Sequence, residues 1–181
     1  MDAAALLTSL QEGVPDARLE PVPSVDSHAT VYVSREALPA VARALRDRRD
    51  LRFDLLADLT AVDFWPREPR FELVYILVSI GQPARLRLKV RLSGGDARVE
   101  TVSAVWPGAG WLEREVWDLF GIAFDGHPDL RRLLMPEDWE GHPLRKDHPV
   151  QIRMPARTTE PLQVTEEEFR ANVERDRRSR R

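Results

Sequence analysis

The chain contains no cysteine. A thiolate nucleophile, a disulfide framework and a cysteine-ligated iron–sulfur cluster within this chain are therefore excluded. Long hydrophobic runs are missing as well. The longest, Leu73–Val78, falls far short of the ~20 residues that span a bilayer. The N-terminus, MDAAALLTSLQEGVPDARLE, has no basic start and carries Asp2 and Glu12 where a signal peptide is apolar. Neither sign of charge dominates: the net charge is −3, and no basic excess points to nucleic acid. Together these absences predict a soluble, cytoplasmic chain that meets a membrane only through a partner.

Proline, by contrast, is plentiful: 14 residues, seven of them from Pro107 onward. Composition is otherwise ordinary, at 43% hydrophobic and 31% charged, and 181 residues suit one compact domain with extensions. Ala3–Gln11 reads as a short helix stopped by Gly13 and Pro15, and Thr30–Val33 as a short strand. Ser34 is placed to cap a helix running to about Asp50, with Leu38, Val41, Ala42 and Leu45 at helical spacing. The period then changes to two. Arg52–Leu56 is an expected strand, Phe71–Ser79 a central one, and Arg85–Leu92 alternates strictly, Leu86, Leu88, Val90 and Leu92 against Arg85, Arg87, Lys89 and Arg91. Ser93-Gly94-Gly95-Asp96 signals a hairpin into a further strand over Arg98–Val105. A helix is expected over Ala109–Phe120, with Leu112, Val116 and Phe120 on one stripe and Gly121 at C′. The last helix, Val164–Arg178, opens on a Thr165/Glu168 capping box. The fold class expected is α+β: a small, mainly antiparallel sheet with helices on one face, then an extended proline-rich strip and a terminal helix. The domain expectation is 1–125 for the α+β body and 126–181 for the strip and helix.

The stretch Glu113–Pro149 is the most unusual. Pro128, Pro136, Pro143 and Pro149 forbid a long helix, yet Leu130, Leu133, Leu134, Met135, Trp139 and Leu144 are too apolar for a free linker. Such a segment belongs on a surface, its own domain's or a partner's. Lacking regular backbone bonds and a core of its own, residues 126–181 are expected to be looser than 29–120 in the isolated chain.

Several residues in this stretch have two readings. His127, His142 and His148 with Asp129, Asp138 and Asp147 form a conceivable metal cluster, but no HxxxH or HExxH spacing occurs, and matching Gly-His-Pro tripeptides read as turns. Glu113, Glu115 and Asp118 are paired carboxylates on paper; an Arg114–Asp118 i, i+4 ion pair, with Glu113 and Glu115 on different faces, is the plainer reading. Gly108-Ala109-Gly110 precedes a helix but is neither a P-loop nor GxGxxG. Arg131-Arg132 and Arg145-Lys146 lie among Glu137, Asp138, Glu140 and Asp147, a mixed-sign strip suited to protein recognition. Trp111, Trp117 and Trp139 are equally core residues or interface anchors.

Two blocks carry a family resemblance. Glu113-Arg114-Glu115-x-x-Asp118, followed by two apolar residues, Gly-Ile and His127, resembles the signature of the C-type or thirty-kilodalton-subunit family of proton-pumping NADH:quinone oxidoreductase, respiratory complex I. Gly141-His142-Pro143-Leu144-Arg145-Lys146-Asp147-x-Pro149 is similar to its second hallmark, and Leu59–Phe64 with the following FELVY also fits. His148 stands where an aromatic residue is expected. The resemblance implies a subunit with no catalytic residues and no cofactor of its own, FMN and iron–sulfur clusters belonging to partners. Such a subunit sits in the peripheral arm on the cytoplasmic side of the cell membrane, against the D-type subunit that forms the quinone site and against iron–sulfur subunits. There the complex moves electrons from NADH to quinone, coupled to proton translocation. Glu113, Arg114, Glu115, Asp118, His127, Arg131, Trp139, His142, Arg145, Lys146 and Asp147 would then be motif or interface residues, with charged contacts made across the strip. Two other readings remain: the homologous subunit of a membrane-bound hydrogenase or related dehydrogenase, and a metal-dependent hydrolase built on the His/Asp cluster.

Overall fold

The strict alternation over residues 85–92 sets the centre of the fold. The computed structural model describes residues 3–24, 26, 28–149 and 165–179. In chain order the elements are α1 (Ala3–Gly13), β1 (Leu19–Val22), β2 (Ala29–Val33), α2 (Leu38–Asp47), β3 (Leu55–Asp63), β4 (Phe71–Ser79), β5 (Ala84–Leu92), β6 (Arg98–Glu100), α3 (Ala109–Phe120), β7 (Ala123–Asp125) and α4 (Glu166–Ser179). Five strands form one sheet in the order β1-β2-β5-β4-β3, in which only the β2–β5 pair is parallel. Leu86, Leu88 and Val90 stand opposite Leu77, Tyr75 and Leu73. Leu6 and Leu10 of α1, Leu38, Val41 and Leu45 of α2, and Val116 and Phe120 of α3 close over them in one apolar cluster. The architecture is the expected α+β one, with helices on one face of a mostly antiparallel sheet.

The opposite face carries charge. Lys89 pairs with Glu72 at 2.7 Å, Tyr32 donates to the same carboxylate, and the Arg91 guanidinium lies 3.6 Å from the Tyr32 ring centre. Ile76 and Val78 of β4 are only half-buried on this side. The strand is thus less enclosed than its apolar run suggested.

Three elements differ from the sequence reading. The strand expected over Arg52–Leu56 lies later, at Leu55–Asp63. Residues 48–53 are instead a turn folded back on α2: Arg52 has φ 44°, the Phe53 N–H donates to the Leu45 carbonyl, and Trp106 Nε1 donates to the Phe53 carbonyl at 2.9 Å. The Ser93–Asp96 turn forms, but the strand after it does not return along β5, whose two edges β2 and β4 already occupy. It stops at Glu100 and pairs in parallel with β7. The helix expected to start at Ser34 starts at Leu38, with the Ser34 hydroxyl accepting from the Ala37 N–H at 3.3 Å, and it ends at Asp47, where Arg48 turns extended.

The expected boundary at 125/126 is also displaced. The chain divides into compact units at His148/Pro149, so residues 126–148 belong to the first unit. The side chains described in the next section are the cause. In the second unit α4 opens as expected: the Glu168 carboxylate accepts from the Thr165 N–H, and Thr165 Oγ1 from the Glu168 N–H. Residues 150–164 of the expected strip lie outside the described residues.

Candidate functional site

An α-helix ends with four backbone carbonyls that its own ladder cannot satisfy. In α3 these belong to Trp117, Asp118, Leu119 and Phe120. Gly121 turns into the left-handed region, φ 71°, and returns its N–H to the Trp117 carbonyl at 2.8 Å. The other three are taken by the second motif block. His142 Nδ1 donates to the Asp118 carbonyl at 2.9 Å, the Leu144 N–H to Leu119 at 3.0 Å, and Arg145 Nε to Phe120 at 2.5 Å. A Cβ on Gly121 would overlap His142 and Arg145. The block is therefore the cap of α3.

The Asp118 side chain holds the intervening strip. One oxygen accepts from Arg132 at 2.7 Å. The other accepts three successive backbone N–H groups, from Leu133, Leu134 and Met135, at 2.8–3.0 Å. Arg132 continues to the carbonyls of Trp139 and Gly141. Burial pushes the Asp118 carboxyl up, but these donors outweigh it and hold the group below its ordinary value. The expected Arg114–Asp118 pair does not form. Asp118 is engaged by Arg132, while Arg114, stacked 4.9 Å from the Trp111 ring, donates to the carbonyls of Arg131 and Arg132.

A second buried carboxylate, Asp63 at the end of β3, clasps the far end of the strip. It takes Arg70 through both oxygens at 3.0 and 2.8 Å, the Trp65 N–H and the Lys146 N–H. Arg70 reaches on to Asp147 at 2.7 Å. Burial raises the Asp63 carboxyl, and Arg70 with the two N–H groups brings it down to about 2. A third, Glu113, accepts from the Val102 N–H at 2.8 Å and the Thr101 hydroxyl at 2.5 Å; here burial prevails and the carboxyl is pushed up.

The histidines are tied down singly. His127 Nδ1 accepts the Asp129 N–H at 3.0 Å, which leaves its proton on Nε2 for the Gly110 carbonyl, also at 3.0 Å. Both ring nitrogens are thus engaged. Burial lowers the pKa of His142. No group of three His, Cys, Asp or Glu placed to hold a metal occurs among the described residues. The hydrolase reading thus loses its cluster. Of the remaining motif residues, Glu115 is half-buried, Arg131 is exposed beside Asp129, and Lys146 is exposed, its N–H alone engaged among the described residues. Trp139 buries an indole N–H with no acceptor among the described residues.

Sequence reasoning missed Asp63 and Arg70 as site residues. A signal existed. Leu59, Ala61 and Asp63 alternate on the core face of β3, and a carboxylate at such a position requires a partner.

With this geometry in place, comparison with known proteins decides the family. Residues 31–153 match the family model described as respiratory-chain NADH dehydrogenase, 30 Kd subunit. The chain belongs to that family. It is 48% identical over 150 residues to the C-type subunit of NADH-quinone oxidoreductase from Roseiflexus sp. (strain RS-1), covering 83% of this chain and 86% of that protein. A C/D-type subunit of NADH-quinone oxidoreductase from Acidiphilium cryptum (strain JF-5) is 45% identical over 160 residues, covering 83% of this chain and 26% of that one. Among solved structures, the trypsin-resistant fragment (1-134) of Nqo5 is similar with a TM-score of 0.59 at 33% identity, over 72% of this chain and all of the fragment. A chain of the archaeal membrane-bound sulfane sulfur reductase is similar with a TM-score of 0.67 at 28% identity, over 80% of this chain and 84% of that one.

Two expectations follow from the geometry. Gly121→Ala should cost at least about 2 kcal/mol, because it combines left-handed strain with overlap on the cap; denaturant unfolding of the isolated chain measures it. Asp63 should also shape the acid limb of stability. Its folded value, about 2, lies below its ordinary 3.8, so its contribution is full above about pH 4 and drains away as pH falls toward 2. Asp63→Asn should flatten that limb in a pH series of melting curves, and an unchanged slope would remove Asp63 from the lock.

Proposed function

We propose that this chain is the C-type subunit of an NADH-quinone oxidoreductase and serves there as a scaffold, with no catalytic residue and no cofactor of its own. FMN and iron–sulfur clusters reside in partner subunits, and electrons pass from NADH to quinone there, coupled to proton translocation. The chain packs on the quinone-site, D-type subunit and on iron–sulfur subunits, on the cytoplasmic side of the membrane. One observation carries the scaffold reading. The conspicuous polar residues Asp118 and His127 of the first motif block have both side-chain oxygens and both ring nitrogens engaged within the fold, and Arg145 of the second is held on the α3 carbonyls. A catalytic group has to keep an atom free for substrate. The lack of cysteine supports the cofactor assignment, and the C/D-type chain of Acidiphilium cryptum supports the pairing with a D-type partner. Among the described residues no helix is long and apolar enough to cross a membrane, which suits attachment through the complex.

A second reading is favoured by the likeness to the sulfane sulfur reductase chain: the same scaffold in a complex with another electron donor or acceptor. Affinity purification of the tagged chain from its own cells separates the two. Co-purification of flavin, iron–sulfur absorbance and NADH:quinone reductase activity is the expected result, while the chain expressed alone should be colourless. Recovery of a complex that does not oxidise NADH would establish the second reading instead.

A further inference from the structure

The same Asp63 carboxylate that secures the strip gathers an apolar corner. Its two oxygens accept the N–H groups of Trp65 and Lys146, each at 2.9 Å, so the β3–β4 turn and the second motif block meet there. Among the described residues nine large apolar side chains are exposed, and three of them, Phe64, Trp65 and Leu144, belong to these two segments. The other six lie elsewhere along the chain, and one of them, Trp111, is stacked with Arg114. Trp65 is 49% exposed and Leu144 51%. The fold does not need these surfaces: Phe64 and Trp65 are held through their backbone N–H groups, to the Arg70 carbonyl and to Asp63.

The charges at the corner are lopsided. Asp63 and Asp147 both clasp Arg70, and Glu68 accepts the N–H groups of Arg70 and Gly94. The exposed Lys146 ammonium, and the exposed Arg67 guanidinium in the same turn as Trp65, have no ion-pair partner among the described residues. A second copy of this chain would meet the corner with the same two cations, Arg67 and Lys146, which disfavours self-association through it. A different partner is required, one that offers an apolar recess edged by a carboxylate. Exposed aromatic anchors beside charges left to pair across the interface are what a heterologous contact uses.

We propose that the corner of Phe64, Trp65, Leu144 and Lys146 is the docking surface for the D-type subunit, which seats Trp65 and Leu144 in an apolar recess and pairs a carboxylate with Lys146. The proposal rests on the reading of this chain as the C-type subunit, and the choice of partner on the relative that carries the C and D types in one chain.

The test uses the tagged full-length chain, expressed in its own cells with the complex intact. Trp65→Ser combined with Leu144→Ser, and separately Lys146→Glu, should each lower recovery of the D-type subunit about tenfold or more, with the melting temperature of the isolated variant unchanged. Ile80→Ser, at a side chain 72% exposed and away from the corner, serves as the control and should recover the D-type partner as the parent chain does. Full recovery with both corner variants overturns the docking surface, and so does an equal loss in the control. If the double variant melts early, Lys146→Glu decides alone, because its side chain is exposed and its N–H remains. A parent chain that recovers no D-type partner overturns the reading of this chain as a C-type subunit as well, so the two failures are distinguishable.

Discussion

The C-terminus of α3 is the point on which the rest of this structure depends. Four carbonyls end there, and an unsatisfied buried carbonyl costs about 1–3 kcal/mol. Gly121 satisfies one by turning left-handed, and His142, Leu144 and Arg145 satisfy the others from more than twenty residues later in the chain. A helix end that recruits its cap at such a distance fixes the path of everything between. The side chain of Asp118 then secures the middle of that path through Leu133–Met135, and Asp63 secures its end through Lys146.

This explains how a proline-rich segment with alternating charge is held on its own domain as far as His148. It builds no ladder; the N–H groups of Leu133, Leu134, Met135 and Lys146 go to carboxylates, and those of Trp139, Leu144, Arg145 and His148 to carbonyls of turns and of α3. The two carboxylates that hold the strip are each paired with a guanidinium as well: Asp118 with Arg132, and Asp63 with Arg70, which also holds Asp147. Arg70 and Arg145 flank the Phe71 ring at 4.8 and 5.4 Å, joining the strip to the first residue of β4 and so to the central sheet. Removing one partner from such a pair leaves a buried charge behind, which is costlier than never having built the pair.

Much of this was legible in the sequence, and the rest was hidden for identifiable reasons. Phe71–Ser79 and Ala109–Phe120 coincide with their readings, and Gly121 was readable as the helix stop, because periodicity and glycine chemistry are local signals. The strand at Leu55–Asp63 was obscured by a register shift between Leu56 and Asp58 and by a carboxylate on its core face. The strand after Ser93–Asp96 was misdirected because strand order decides which edge is free, and no local pattern encodes that. The motif residues were found as letters, but the Arg114–Asp118 pairing was wrong. Helical spacing puts the two side chains within reach, yet Arg132, far along the strip, supplies the Asp118 partner. The residue types left open whether the strip lies on its own domain or on a partner, because apolar and charged side chains suit either; its first part, to His148, is held by its own domain.

For a member of the 30 Kd family this division of labour is economical in a physical sense: the motif builds a rigid surface, and side chains left over on that surface are free to meet other subunits. The central claim is that the strip is ordered by its own domain and needs no partner. Amide hydrogen exchange on the chain expressed alone tests it most directly. The account predicts that the N–H groups of Leu133, Leu134, Met135 and Leu144 exchange slowly, in the manner of the α3 amides, and that Asp118→Ala releases the first three. Exchange at these four positions as fast as in an unstructured peptide, with α3 itself protected, would contradict it.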